Sequence, residues 1–314
     1  MEHRRVGRSG LKVSAISLGG WLTFGGSLED ADAFRILDLA AERGVDYVDL
    51  ADAYAKGRAE ETVGRWLRER SPLARQRFVL ASKAYWPMSE GANDRGLSRK
   101  HLFESVEGSL RRLGTDYLDL FFCHREDPEV PLEETLRALE DLVRQGKVLH
   151  WGTSCWAPAT LLKAQGLARL RGWTPPIVEQ PKYNLLERHV EKRIVPLARS
   201  TGMGLVVWSP LEGGLLTGKY DDGVPPGSRG DRTEWLDEML TEENRAKLRA
   251  FSALAAEVGC RPAQLALAWA LHQPGITSVI TGASAPAQLE ENLGALEVPW
   301  SDALAERLDA LFPR

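Results

Sequence analysis

Short, continuously apolar runs alternate along the chain with longer stretches in which apolar residues recur every three to four positions. The runs fall at 15–20, 45–50, 78–83, 117–124, 148–154, 177–183, 204–210 and 276–282. Each is too short for a core helix and apolar enough to be covered on both faces, so together they predict eight strands of a parallel sheet. The helical patterns at 33–44, 61–70, 97–114, 132–146, 157–172 and 187–202 separate them. Five of these patterns close on a glycine (Gly44, Gly114, Gly146, Gly172 and Gly202), the residue that most readily takes the left-handed turn at a helix end.

Strand starts about 30 residues apart set the rhythm of βα units. Eight units favour closure, because a closed sheet has no edges. The expected fold is therefore a (β/α)8 TIM barrel, α/β in class, spanning 1–314 as a single domain. An N-terminal hairpin should turn at 7–10, a long Gly/Pro/Asp-rich loop should follow the seventh strand from 211, and helices are expected at 242–258 and 262–272. Two further helical patterns within 286–311 close the ring. A doubly wound open sheet would carry G-x-G-x-x-G after its first strand, whereas the residues there are Leu18-Gly19-Gly20-Trp21-Leu22-Thr23.

Composition narrows the function. A net charge of −4 from 40 basic and 44 acidic residues gives no electrostatic footprint for nucleic acid. No apolar stretch reaches membrane-spanning length and the N-terminus lacks a signal-peptide core, so no membrane insertion is expected. Three cysteines (Cys123, Cys155 and Cys260), with no C-x-x-C pair, suit a reducing, cytoplasmic setting and supply no metal framework. The six histidines form no H-x-H pair, which leaves a metal-dependent hydrolase without support.

In a barrel the strand carboxyl ends converge on one face. There the second to fourth strands bring Asp49, with Tyr54 five residues on, Lys83 and His124. Each alone has a packing explanation. Together they match carbonyl reduction: Tyr54 as proton donor, Lys83 to ease loss of its proton, Asp49 to anchor Lys83, and a neutral His124 to orient the carbonyl oxygen. Ser154 and Gln180 could bond a nicotinamide carboxamide and Trp208 could stack on its ring. Trp21, Trp86 and Trp156 are candidates to line the substrate pocket with Tyr54 and His124. Near the C-terminus, Gly282, Ser284 and a helix opening near Pro286 form an anion site, with Gln288, Glu291 and Asn292 beside it and Lys219 and Arg229 reaching over from the long loop.

The segments RRVGRSGLKVSAISLGGW, GLSRKHLFESVEGSLRRLGTDYLDLFFCH, HWGTSCW, VVWSPLEGGLLTGKY and TGASAPAQLEENLGAL cover nearly the whole chain. In them the sequence resembles the aldo-keto reductases, in the branch of the voltage-gated potassium channel beta subunits and their bacterial relatives. The resemblance implies an extended NADPH/NADP cofactor and Asp49, Tyr54, Lys83 and His124 as the catalytic set. It places Gly20, Trp21, Asp49, Ser154 and Gln180, then Trp208, Ser209, Pro210, Leu211 and Gly213, along the cofactor's nicotinamide and pyrophosphate. Lys219, Arg229, Gly282, Ser284, Gln288, Glu291 and Asn292 fall to its phosphate and adenosine end.

Two positions depart from the branch. Cys155 stands where relatives carry Asn or, in the channel subunits, Arg; His124 stands where the channel subunits have Asn. The expected activity is reversible reduction of a small-molecule carbonyl substrate, aldehyde or ketone. The alternative is an NADP(H)-binding regulatory module with slow turnover. The chain could also assemble as a homo-oligomer.

Overall fold

The computed structural model of the chain describes residues 1–70, 74–232 and 234–314, with the side chains of Arg229, Arg232, Glu234, Trp235 and Asp237 outside the described set. Eight parallel strands close into a barrel: β3 (Ile16–Gly19), β4 (Tyr47–Asp49), β5 (Val79–Ala84), β6 (Leu118–Cys123), β7 (Val148–Thr153), β8 (Val178–Glu179), β9 (Gly204–Val207) and β10 (Ile276–Thr281), with β10 pairing back to β3. They are the eight predicted runs, in order. Several are shorter than predicted at their carboxyl ends, where the continuous ladder gives way to isolated pairing such as the parallel bridge between Lys182 and Trp208.

Alternation along the strands splits the apolar core in two. Tyr47, Val79, Ala81, Leu120, Phe122, Val178, Val206 and Ile280 fill the barrel, while Ile16, Leu18, Val48, Leu80, Phe121 and Val207 pack outward against the helices. The helical ring contains α1 (Asp30–Glu42), α2 (Arg58–Arg70), α4 (Arg99–Leu113), α5 (Leu132–Arg144), α6 (Pro158–Arg171) and α7 (Ile194–Thr201), with a single turn, α3 (Ala74–Arg77), before β5. All five predicted helix-closing glycines have positive φ. Ser98 caps α4 by accepting from the backbone N–H of His101 at 3.2 Å.

The predicted hairpin, β1 (His3–Arg5) and β2 (Lys12–Ser14), stoppers the amino-terminal mouth. Val6 and Val13 enter the interior cluster, and the backbone N–H of Arg8 donates to the Gly202 carbonyl at 2.8 Å. That approach requires Gly7: its φ is +56°, and a Cβ there would lie 2.3 Å from the Gly202 oxygen.

The segment after β9 differs from a plain loop. A turn at 212–217 is followed by the short helices α8 (Arg229–Arg232) and α9 (Glu234–Met239) before α10 (Glu242–Val258) and α11 (Pro262–Leu271). Leu236 and Tyr220 are fully buried. These apolar residues, spaced among glycines and prolines, anchor the segment, while the intervening breakers hide any helical period. The chain closes with α12 (Pro286–Leu293) and α13 (Asp302–Leu311).

Candidate active site

Strand parity builds the site. Tyr47, Ala81, Phe122, Val178 and Val206 point into the barrel, so the inward residue two places on is Asp49, Lys83, His124, Gln180 and Trp208 in turn. The barrel filling thus ends in a polar layer at the carboxyl face, beneath a cavity of about 880 Å³.

Lys83 is fully buried under the cavity floor. Its Nζ donates to Asp49 Oδ2 at 2.6 Å, to the Leu50 carbonyl at 2.7 Å and to Tyr54 Oη at 3.3 Å. All three ammonium protons therefore have partners. The other oxygen of Asp49, Oδ1, accepts from Gln180 Nε2 at 2.8 Å and Tyr47 Oη at 3.3 Å. Burial opposes the Lys83 charge, but Asp49 and Tyr54 outweigh it and hold its pKa above the ordinary value. Burial raises the Tyr54 phenol, and Lys83 pulls it back part of the way.

Tyr54 is set over the lysine by a turn in which Ala55 and Lys56 both adopt left-handed φ, +49° and +53°. Among the described residues the other non-glycine positions with positive φ are Cys155, Ser209 and Glu212, which also follow barrel strands on this face. Backbone strain is thus concentrated where side chains converge.

His124 stands beside Tyr54, the ring centroids 5.8 Å apart and edge-on, with Trp86 6.2 Å away on another side. Burial, reinforced by Lys83 and Arg125, pushes its pKa down to about 2, so the imidazole is neutral. Its Nδ1 is buried without a partner. A bare lone pair costs less there than an unpaired N–H, which places the ring proton on Nε2.

The cavity extends from this cluster to the start of α12. Trp21, Ser154, Trp208, Ser209, Pro210, Leu211, Gly213, Lys219, Gly282, Ser284, Gln288, Glu291 and Asn292 all line it, with Asp49, Tyr54, Trp86, His124 and Gln180. Trp21 and Trp86 form the rim at 53% and 41% exposure. Gln180 uses its amide N–H on Asp49 and keeps its side-chain oxygen as an acceptor, and the Ser154 hydroxyl donates to the Gln180 backbone carbonyl at 2.8 Å. Gln288 Oε1 accepts from both the N–H and hydroxyl of Ser284, and α12 opens at Ala285 with no side-chain cap.

Two sequence assignments are placed differently, and a third falls outside the described residues. Trp156 is 3% exposed and packs in the outer core, away from the cavity; the left-handed turn at Cys155 sends the chain back so that the Trp156 N–H reaches Glu179 Oε1 at 3.2 Å. Gly20 does not line the cavity but is packed shut, a Cβ there meeting Leu50 at 2.7 Å and Phe24 at 2.9 Å. The Arg229 side chain lies outside the described residues.

Sequence reasoning missed Arg125, which lines the cavity beside His124. Its signal was its position, one residue past a strand end already assigned to the site. Among the described residues no cluster of three or more His, Cys, Asp or Glu could hold a metal ion, and no helix is long and apolar enough to cross a membrane.

Along its length the cavity combines three kinds of recognition group. It offers an aromatic wall at Trp208 whose Nε1 is buried without a partner, hydrogen-bonding groups at Ser154 and Gln180, and uncapped helix N–H groups with Lys219 at the far end. The model of the aldo/keto reductase family matches residues 15–312. A probable voltage-gated potassium channel subunit beta of Arabidopsis thaliana is 42% identical over 303 residues, covering 95% of this chain and 92% of the relative. The protein of the same description from Oryza sativa subsp. japonica matches with the same identity and coverage. With its eight-stranded closed barrel, hairpin stopper and matching extent, the chain belongs to the aldo/keto reductase family.

Proposed function

We propose that this chain binds NADP(H) in the cavity and reversibly reduces a small aldehyde or ketone to the alcohol. The observation that carries the reading is Lys83 Nζ held 2.6 Å from Asp49 and 3.3 Å from Tyr54 Oη directly beneath the cavity. When bound, a reduced nicotinamide supplies the hydride for the carbonyl carbon. Tyr54 Oη gives the carbonyl oxygen its proton, and the Lys83 ammonium stabilises the phenolate left behind. Asp49 fixes that ammonium. His124, neutral with its proton on Nε2, donates to the carbonyl oxygen and turns it toward Tyr54. Trp21 and Trp86 at the rim shield the reacting groups from water.

Ser154 and the side-chain oxygen of Gln180 would hold the carboxamide, with Trp208 against the ring. Lys219, Ser284 and the first turn of α12 would take the phosphates, a pattern that favours NADP over NAD through the extra charge at the adenosine end.

A second reading, an NADP(H)-holding regulatory subunit with slow turnover, draws support from the two plant relatives, both described as potassium channel beta subunits. The two readings share the cofactor and divide on rate. NADPH binding, followed by quenching of tryptophan fluorescence, together with NADPH consumption over a panel of small aldehydes, separates them. Tight binding with multiple turnovers supports the reductase, tight binding without turnover favours the regulatory subunit, and no binding removes both.

A further inference from the structure

Arg125 places a positive charge at the cavity wall that no ion pair among the described residues neutralises. Its Nη1 donates to the His124 carbonyl at 2.5 Å and reaches Ser154 Oγ at 3.5 Å. Among the described residues neither Nε nor Nη2 has a hydrogen-bond partner, and no carboxylate pairs with the guanidinium. The neighbouring acids are used elsewhere. Glu126 accepts from the Ala157 N–H at 3.1 Å and from Thr160 Oγ1 at 2.6 Å; Asp127 accepts from the Leu97 N–H at 2.8 Å. Asp49 is taken up by Lys83.

The head group is nevertheless held in place. The Arg125 Cζ lies 5.6 Å from the Trp86 ring centroid and 5.9 Å from that of Trp208, within cation–π range of both. Trp86 also faces His124, at 6.2 Å between centroids. Tyr54, His124 and Arg125 therefore share one aromatic-walled space, with the proton donor on one side and an unpaired, oriented guanidinium on the other. A planar fork with two free donors matches a carboxylate more closely than any neutral group.

Resting on the reductase reading above, we infer that the substrates of this site are small carbonyl compounds that also carry a carboxylate, and that Arg125 selects them. The carbonyl oxygen sits at Tyr54 and His124 while the carboxylate a few bonds away pairs with Arg125 beside Trp86. An uncharged carbonyl of the same length leaves the guanidinium unpaired.

The test compares 4-oxobutanoate with butanal, which share a four-carbon chain. Wild type should prefer 4-oxobutanoate by at least about tenfold in kcat/KM, and Arg125→Leu should bring that preference to within about twofold of unity, with Arg125→Lys in between. A preference absent in wild type, or persisting in the leucine variant, overturns the inference. Equal losses on both substrates with weakened NADPH binding would assign Arg125 to the cofactor and also overturn it. A binding measurement stands apart from turnover: calorimetric titration of 4-hydroxybutanoate into NADP-loaded protein should weaken at least about tenfold in Arg125→Leu. If neither aldehyde is reduced yet this difference holds, the carboxylate site stands and the reductase reading falls. If 4-hydroxybutanoate does not bind wild type, the inference falls on its own.

Discussion

At position 155 the backbone adopts φ = +56° with a cysteine side chain, in the left-handed region that Asn enters several-fold more often than most residues. The departure from the Asn of the resembled family is therefore a local strain as well as a change of donor. Cys155→Asn is expected to raise stability by about 0.5–1 kcal/mol, read as a higher midpoint in denaturant unfolding. An unchanged or lower midpoint would mean that the thiol's contacts near the Gln180 carbonyl outweigh the backbone preference. Two residues from the barrel interior, His124 has a different constraint: with its pKa down at about 2, it is neutral from pH 5 to 8. The ratio of wild-type to His124→Asn kcat/KM should stay flat across that range. A ratio that changes through pH 6.5, the ordinary histidine midpoint, would show that the ring is charged during turnover.

Strand parity carried most of the site, which is why so much of it could be read in advance. An inward apolar residue followed two places later by Asp49, Lys83, His124, Gln180 or Trp208 is visible in the letters alone, once eight buried strands are accepted. What lies beyond the strands was less legible. Trp156 follows a left-handed residue that no pattern announces, and it turns away from the cavity. Gly20 looks like a cofactor glycine, but Leu50 and Phe24 close over it. Arg125 reads as an ordinary surface charge until Trp86 and Trp208 are seen around it. The helices α8 and α9 lay hidden because they are short and follow a run of glycines and prolines at 223–227. At the opposite mouth, hairpin and barrel meet through the Gly7 backbone. Gly7→Ala combines a left-handed φ with a Cβ placed 2.3 Å from a carbonyl oxygen, and should cost at least about 2 kcal/mol in unfolding free energy. A near-neutral result would show that the hairpin is not seated against Gly202.

Over the whole molecule, buried acids tie stability to pH. Asp52 is fully buried below the Tyr54 turn; one oxygen accepts from Ser105 Oγ at 2.6 Å, and the other has no partner. Burial pushes its pKa up to about 7, and Glu179, fully buried at the end of β8, is likewise pushed up to about 7 by burial. The folded state thus holds protons that the unfolded chain has released. Their contribution is fully present below the unfolded pKa and is lost as pH rises through about 7. The lowered His124 works in the opposite sense, its contribution lost as pH falls below 6.5. The acids are isolated by substitution: Asp52→Asn should gain on wild type as pH rises from about 4 to 7, by up to about 1.4 kcal/mol per unit. A stability difference independent of pH would mean that Asp52 is ionised in the fold.

The polar layer of Asp49, Lys83 and His124, with Tyr54 above it, is the part of the molecule on which the proposed chemistry depends. Its most direct test is single-turnover hydride transfer from pre-bound NADPH to 4-oxobutanoate in wild type and in Tyr54→Phe, with NADPH affinity measured for both. The account predicts transfer in wild type and a loss of at least about 100-fold in the variant at similar affinity. Equal rates in the two proteins would contradict Tyr54 as proton donor, and retained NADPH with no transfer in wild type would contradict the reductase itself.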